Sequence, residues 1–61
     1  MKLADLERHL RRHECVFYRE GGAHRIGFNA ANRKLASVPR HREIKENTAR
    51  AVCRQLEIPR P

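Results

Sequence analysis

Four histidines, two cysteines and an excess of arginine hold whatever acid–base, metal or anion chemistry this 61-residue chain can do. His24 stands behind two glycines, in Gly21-Gly22-Ala23-His24, and opens a short apolar run that Gly27 interrupts. His41 sits in a basic run, SVPRHREIK, at residues 37–45. His9 and His13 are four apart with Cys15 just beyond, and Cys53 is remote from all of them. An imidazole titrates near neutrality, so it takes or gives a proton at cellular pH. Arginine and lysine hold phosphate oxygens and stabilise negative charge as it develops. Together these are the parts needed to cleave RNA without a metal. A base removes the ribose 2′-OH proton, that oxygen attacks the adjacent phosphorus, and an acid protonates the leaving 5′ oxygen. DNA lacks the 2′-OH, so such a site acts on RNA only. The bland alternative makes His24 the first, structural or solvent-facing residue of an ordinary strand.

Other chemistries find less support. Zinc takes His and Cys in a tetrahedron, and an i, i+4 pair shares one helix face. Yet the chain has no C-x-x-C pair, and no Glu follows His9 as a metalloprotease motif requires. Neither a metal nor a cofactor is expected. Cys15 and Cys53 read as small core residues of a reducing compartment rather than as nucleophiles or a disulfide framework. The carboxylates Asp5, Glu7, Glu43, Glu46 and Glu57 offer no close pair for general acid–base work. No phosphate-binding loop or dinucleotide fingerprint is present.

Charge narrows the partners. Fourteen Lys and Arg against seven Asp and Glu leave +7, and eleven of the fourteen are arginine. A small, strongly basic domain is drawn to nucleic acid, anionic lipid or an acidic protein. The first ten residues, MKLADLERHL, break their apolar positions with charge, unlike a secretory leader, and no apolar run is long enough to span a membrane. A cytoplasmic protein without a membrane partner is the expectation. With 39% hydrophobic residues and no Trp, the core must be thin. A domain near this size hides only about 60% of its unfolded surface. A partner covering more apolar surface would therefore stabilise it.

The elements that must position these groups follow from periodicity. Leu3, Leu6 and Leu10 recur at spacings of three and four, which predicts a helix over residues 2–13. CVFYR, residues 15–19, reads as a strand. Residues 20–23 read as a tight turn, because glycine reaches positive φ without steric cost. Residues 24–28 read as a second strand, 29–32 as a loop with Asn at both ends, and 34–38 as a third strand closed by Pro39. Ala49, Val52, Cys53 and Leu56 mark a last helix, with Asn47 or Thr48 as its cap or a first turn reaching back to Arg42. Pro59 and Pro61 prevent its continuation. The order α-β-β-β-α, with short connections, predicts a single α+β domain over residues 1–61. Its three-stranded antiparallel sheet carries both helices on one face and leaves the other open. A regular second strand puts His24, Ile26 and Phe28 on one face, and that face reads as the core side. Two ways out remain: a bulge at Gly27, or a His24 that precedes the first ladder pair.

The sequence resembles the HicA family, the small RNA-cleaving half of bacterial HicA–HicB toxin–antitoxin pairs. The likeness begins with the leucine-spaced first helix and a strand ending at Arg19. It continues through Gly22-Ala23-His24, where the family usually shows Gly-Ser-His, into an apolar strand. Val38-Pro39 then closes a strand, with His41 two residues on. Glu43-Ile44-Lys45, Thr48 and a basic helix ending Arg54-Gln55-Leu56 complete it. The resemblance implies a fold like a double-stranded-RNA-binding domain and a metal-independent mRNA interferase. It maps the catalytic histidine onto His24. It also implies a HicB-like antitoxin that covers the site, in a toxin–antitoxin hetero-oligomer. Arg25, Lys34, Arg40, His41, Arg42 and Lys45 are then the candidates for holding RNA, with His41 the best second proton-transfer group. The runner-up is a non-catalytic RNA-binding module of the double-stranded-RNA-binding type. Several positions depart from the family pattern. Ala23 lacks the usual hydroxyl, Arg25 replaces a common second His, and Cys15 replaces a large aromatic. Glu14, Asn47 and Glu57 stand where glycine is frequent. Where such a site needs a left-handed backbone, a Glu costs about 1–2 kcal/mol.

Overall fold

The computed structural model describes the backbone of residues 1–21 and 24–61 and the side chains of residues 1–17 and 24–61. Gly22 and Ala23, the centre of the expected turn and the site of the missing hydroxyl, lie outside the described residues. Helix α1 runs Leu3–Arg12, strand β1 Cys15–Gly21, β2 His24–Asn29, β3 Leu35–Pro39, and helix α2 Glu46–Leu56. The strands form one antiparallel sheet in the order β1-β2-β3. The α+β architecture is the expected one.

The leucine periodicity of α1 places Leu6 and Leu10 in full burial. From α2, Ala49, Val52, Cys53 and Leu56 join them, and Ile44 closes one end. The sheet contributes Cys15, Ala36 and Val38. Both helices therefore cover one sheet face, and the core is the layer between them. Alternation along β3 is regular: Ala36 and Val38 are buried and Leu35 and Ser37 exposed.

Strand β2 corrects two expectations. Its pairing to β3 is unbroken from His24↔Pro39 to Phe28↔Leu35, so Gly27 makes no bulge there. The irregularity lies instead on β1, between Phe17 and Arg19, opposite Gly27 and Ile26. His24, Ile26 and Phe28 do share a face, but it is the open one. The core side of β2 carries Arg25, Gly27 and Asn29. A Cβ at Gly27 would make ordinary contacts there, 3.6 Å from Val38 Cγ2 and 3.9 Å from Leu56 Cδ1, so the packing leaves room for a small side chain. Apolar character alone pointed the wrong way, since Ile26 and Phe28 stay half-buried on the outside.

Among the described residues, two of the three non-glycine left-handed residues follow the helices, and the third, Arg33, lies between β2 and β3. Glu14 follows α1 with φ 64°, and Glu57 follows α2 with φ 57°. At α2 the N–H of Glu57 bonds to the Arg54 carbonyl at 3.1 Å, and that of Ile58 to the Cys53 carbonyl at 3.0 Å. This satisfies two of the orphan acceptors of the last turn. A third, the Leu56 carbonyl, receives the side-chain amides of Asn29 at 2.8 Å and Asn32 at 3.0 Å. Asn29 is thus the buried last residue of β2 rather than the start of a loop. At the other end, Lys45 is the N-cap, without a side-chain hydrogen bond; neither Asn47 nor Thr48 caps α2, and both lie inside it. Asn47, helical as it is, does not need the conformational freedom of the glycine it replaces.

Candidate functional site

His24 opens β2, opposite Gly21 of β1 and Pro39 of β3, and its side chain is exposed on the open side of the sheet. No described residue hydrogen-bonds to its imidazole. Pro39 ends β3 and cannot extend the ladder, so the chain leaves the sheet beside His24. Residues 40–45 then cross to α2. The Leu3 N–H bonds to the Arg42 carbonyl at 2.9 Å, and the Ile44 N–H to the Met1 carbonyl at 2.7 Å. These bonds, with the buried Ile44 side chain, hold the connection against the body of the domain.

A groove of about 810 Å³ results, with His24 and Pro39 on one side and His41, Arg42, Ile44 and Lys45 on the other. Glu43 and Thr48 complete it. The Glu43 carboxylate already accepts a hydrogen bond from the Met1 ammonium at 2.9 Å, which offsets its charge. Two imidazoles, a guanidinium and an ammonium thus line one cleft. A second groove, of about 400 Å³, shares His24, Pro39 and Thr48 with the first and runs along β3 and α2 past Ser37, Asn47 and Gln55.

Of the residues named from sequence, His24, His41, Arg42 and Lys45 come together. Arg40 is exposed next to them in the chain but does not line the groove. Arg25 points the other way. Its guanidinium pairs with Glu7 of α1 and lies 3.9 Å over the Phe17 ring, four-fifths hidden from solvent. Lys34 is at the far end of the sheet, beside the Leu35 that pairs with Phe28, and forms an exposed ion pair with Glu57 at 3.6 Å. Sequence reasoning gave Ser37 and Gln55 no binding role and took Asn47 as a cap or a replacement for glycine. The signal for the last two was their common row with Ala51 at four-residue spacing on α2.

The cysteines are part of the fold. Burial pushes both thiols above their ordinary value of 9.0, helped by the Glu14 charge at Cys15 and by Cys15 at Cys53. Such thiols stay protonated and unreactive near neutrality. The Cys15 thiol donates to the His13 carbonyl at 3.6 Å instead of turning toward a ligand cluster. His9 and His13 meet edge to face with ring centroids 4.7 Å apart, and the His9 Nε2–H donates to the Pro59 carbonyl at 2.7 Å. Among the described residues, no three side chains of metal-ligating type converge, and no helix is long and apolar enough to cross a membrane.

The order of elements, the exposed histidine at the start of β2 and the basic connection before α2 define a small basic α+β domain with a histidine-bearing groove. A family model for the HicA toxin of bacterial toxin–antitoxin systems matches residues 3–58, nearly the whole chain. The chain belongs to the HicA toxin family. It is accordingly the toxin of a toxin–antitoxin system, with an antitoxin as its partner. No curated protein and no solved structure matches it.

Proposed function

We propose that this toxin is a metal-independent endoribonuclease that cleaves mRNA in the cytoplasm, with His24 as its catalytic residue. One observation carries the proposal: His24 shares a single groove with His41, Arg42 and Lys45. Arg42 and Lys45 hold the phosphate and offset the charge that builds on its oxygens. One imidazole takes the ribose 2′-OH proton and the 2′ oxygen forms a bond to phosphorus. The other gives a proton to the departing 5′ oxygen as that P–O bond breaks. The products are a 2′,3′-cyclic phosphate and a 5′-OH end. Arg40 holds the flanking strand. Arg25 and Lys34 take no part, the one because it faces the helices and the other because it lies across the sheet. A HicB-like antitoxin blocks the reaction by covering this groove.

The test is incubation of the purified protein with single-stranded RNA in EDTA. Cleavage leaving 5′-OH ends supports the proposal, as does its loss in His24→Ala. Intact RNA, bound with a steep dependence on salt, would instead indicate the non-catalytic RNA-binding module.

A further inference from the structure

His24 stands where two grooves meet, and they differ in chemistry. The first is lined by His41, Arg42 and Lys45. The second has no Lys, Arg, Asp or Glu in its lining. Ser37, Asn47 and Gln55 bring a hydroxyl and two amides to it, over an aliphatic floor of Ala51 and Val52. Asn47 and Gln55 are exposed, and neither amide has a hydrogen-bond partner among the described residues. A ribonucleotide divides in the same way. Its phosphate is an anion, and its base is a flat, uncharged ring with donors and acceptors along the edge.

We propose that the second groove is a nucleobase pocket, in which Asn47 and Gln55 read the bases that flank the phosphate held beside His24. A side-chain amide carries both a donor and an acceptor, so it can match a base edge with two hydrogen bonds. Sequence-specific RNA recognition works mostly on single strands, whose bases can be splayed out and contacted on their edges. Asn47 adjoins Thr48, which lines both grooves, so it meets the nearer base. Gln55 lies two helical turns further, about 12 Å along α2, and meets the next one. The aliphatic floor accepts a ring face, and Ser37 supplies a further hydroxyl. The placing of the bases beside the cleaved phosphate rests on the endoribonuclease proposal; the base preference itself does not.

The test therefore measures binding apart from cleavage. The His24→Ala protein is titrated by fluorescence anisotropy against labelled RNA dodecamers of A, of U and of C, and against an abasic ribose–phosphate chain of equal length. The best homopolymer should bind about 5- to 100-fold more tightly than the abasic chain. Asn47→Ala with Gln55→Ala should bring that ratio to about one. Arg42→Ala with Lys45→Ala should weaken every chain and keep the ratio. Equal binding of all four chains by the His24→Ala parent would overturn the pocket, as would a preference that survives loss of both amides. Both positions are exposed on a helix, where alanine is the better helix former, and circular dichroism checks the fold. Absence of RNA cleavage by the wild-type protein would sink the endoribonuclease proposal and leave the base-preference result standing.

Discussion

At one end of β2, His24 is exposed at the junction of two grooves, with no described residue hydrogen-bonded to its ring. At the other end, Asn29 is buried, its amide nitrogen donating to the Leu56 carbonyl and its oxygen accepting from the Ala31 N–H at 2.9 Å. The two residues point to opposite faces of the same strand. One is left available to something outside the chain; the other is committed wholly to joining β2, the following turn and the end of α2. A polar side chain in a strand thus tells little by its type. What its atoms already hold decides whether it serves the fold or a ligand.

The largest expected effect falls at the His24 end. A single proton-transfer group typically contributes 10²–10⁴-fold. His24→Ala should lose that much cleavage, read on a fluorogenic RNA, while its unfolding free energy in urea changes by less than about 0.5 kcal/mol. A His24→Ala protein that unfolds would break the comparison from one side. Asn29→Ala should do the reverse. It leaves the buried Leu56 carbonyl with one partner instead of two and should cost about 1–3 kcal/mol. In a domain this small that lowers Tm by several degrees. Cleavage per folded molecule should hold, and a variant as stable as wild type would break the comparison from the other side.

Two smaller effects sharpen the Asn29 corner. Glu57 follows Leu56 with φ 57°, and a Cβ in that conformation costs about 1–2 kcal/mol. Glu57→Gly also removes an ion pair with Lys34, but that pair is more than half exposed and worth little. The net should be a gain of about 1 kcal/mol in thermal or urea unfolding. Cys15 pairs across the sheet with Asn29, and burial raises its thiol above 9.0. The folded chain keeps a proton that the unfolded chain releases above that value. This contribution is complete below pH 9 and is lost as pH rises through the folded value. Stability should fall from about pH 9 upward, and Cys15→Ala should flatten the decline.

Much of the fold was legible because it rests on local periodicity. Leu3, Leu6 and Leu10 marked α1, and Ala49, Val52, Cys53 and Leu56 marked α2 without help from distant residues. The facing of β2 was not legible. Ile26 and Phe28 look like core and Arg25 and Asn29 look like surface. The opposite arrangement holds because Arg25 meets Glu7 and Asn29 meets Leu56, partners 18 and 27 residues away. The same limit applied to the grooves. His24, His41 and Lys45 were named from their chemistry, and Pro39 was recognised as the end of a strand. That the crossing at residues 40–45 would bring them into one cleft depended on bonds from residues 1–3. The second groove went unseen because Ser37 and Gln55 lie on different elements and neither carries a charge.

The open face of the sheet has a consequence for how the molecule behaves in bulk. Val16 and Leu35 are each half exposed there, beside Ile26 and Phe28, and β1 and β3 are its outer strands. An apolar sheet face of this kind attracts another copy, and at low salt the charge of +7 opposes that approach. The range of the repulsion shrinks from about 10 Å at 0.1 M salt to about 3 Å at 1 M, while the apolar attraction remains. The isolated chain is thus a charge-stabilised colloid: raising sodium chloride, which loosens its hold on a polyanion, should at the same time raise its light scattering.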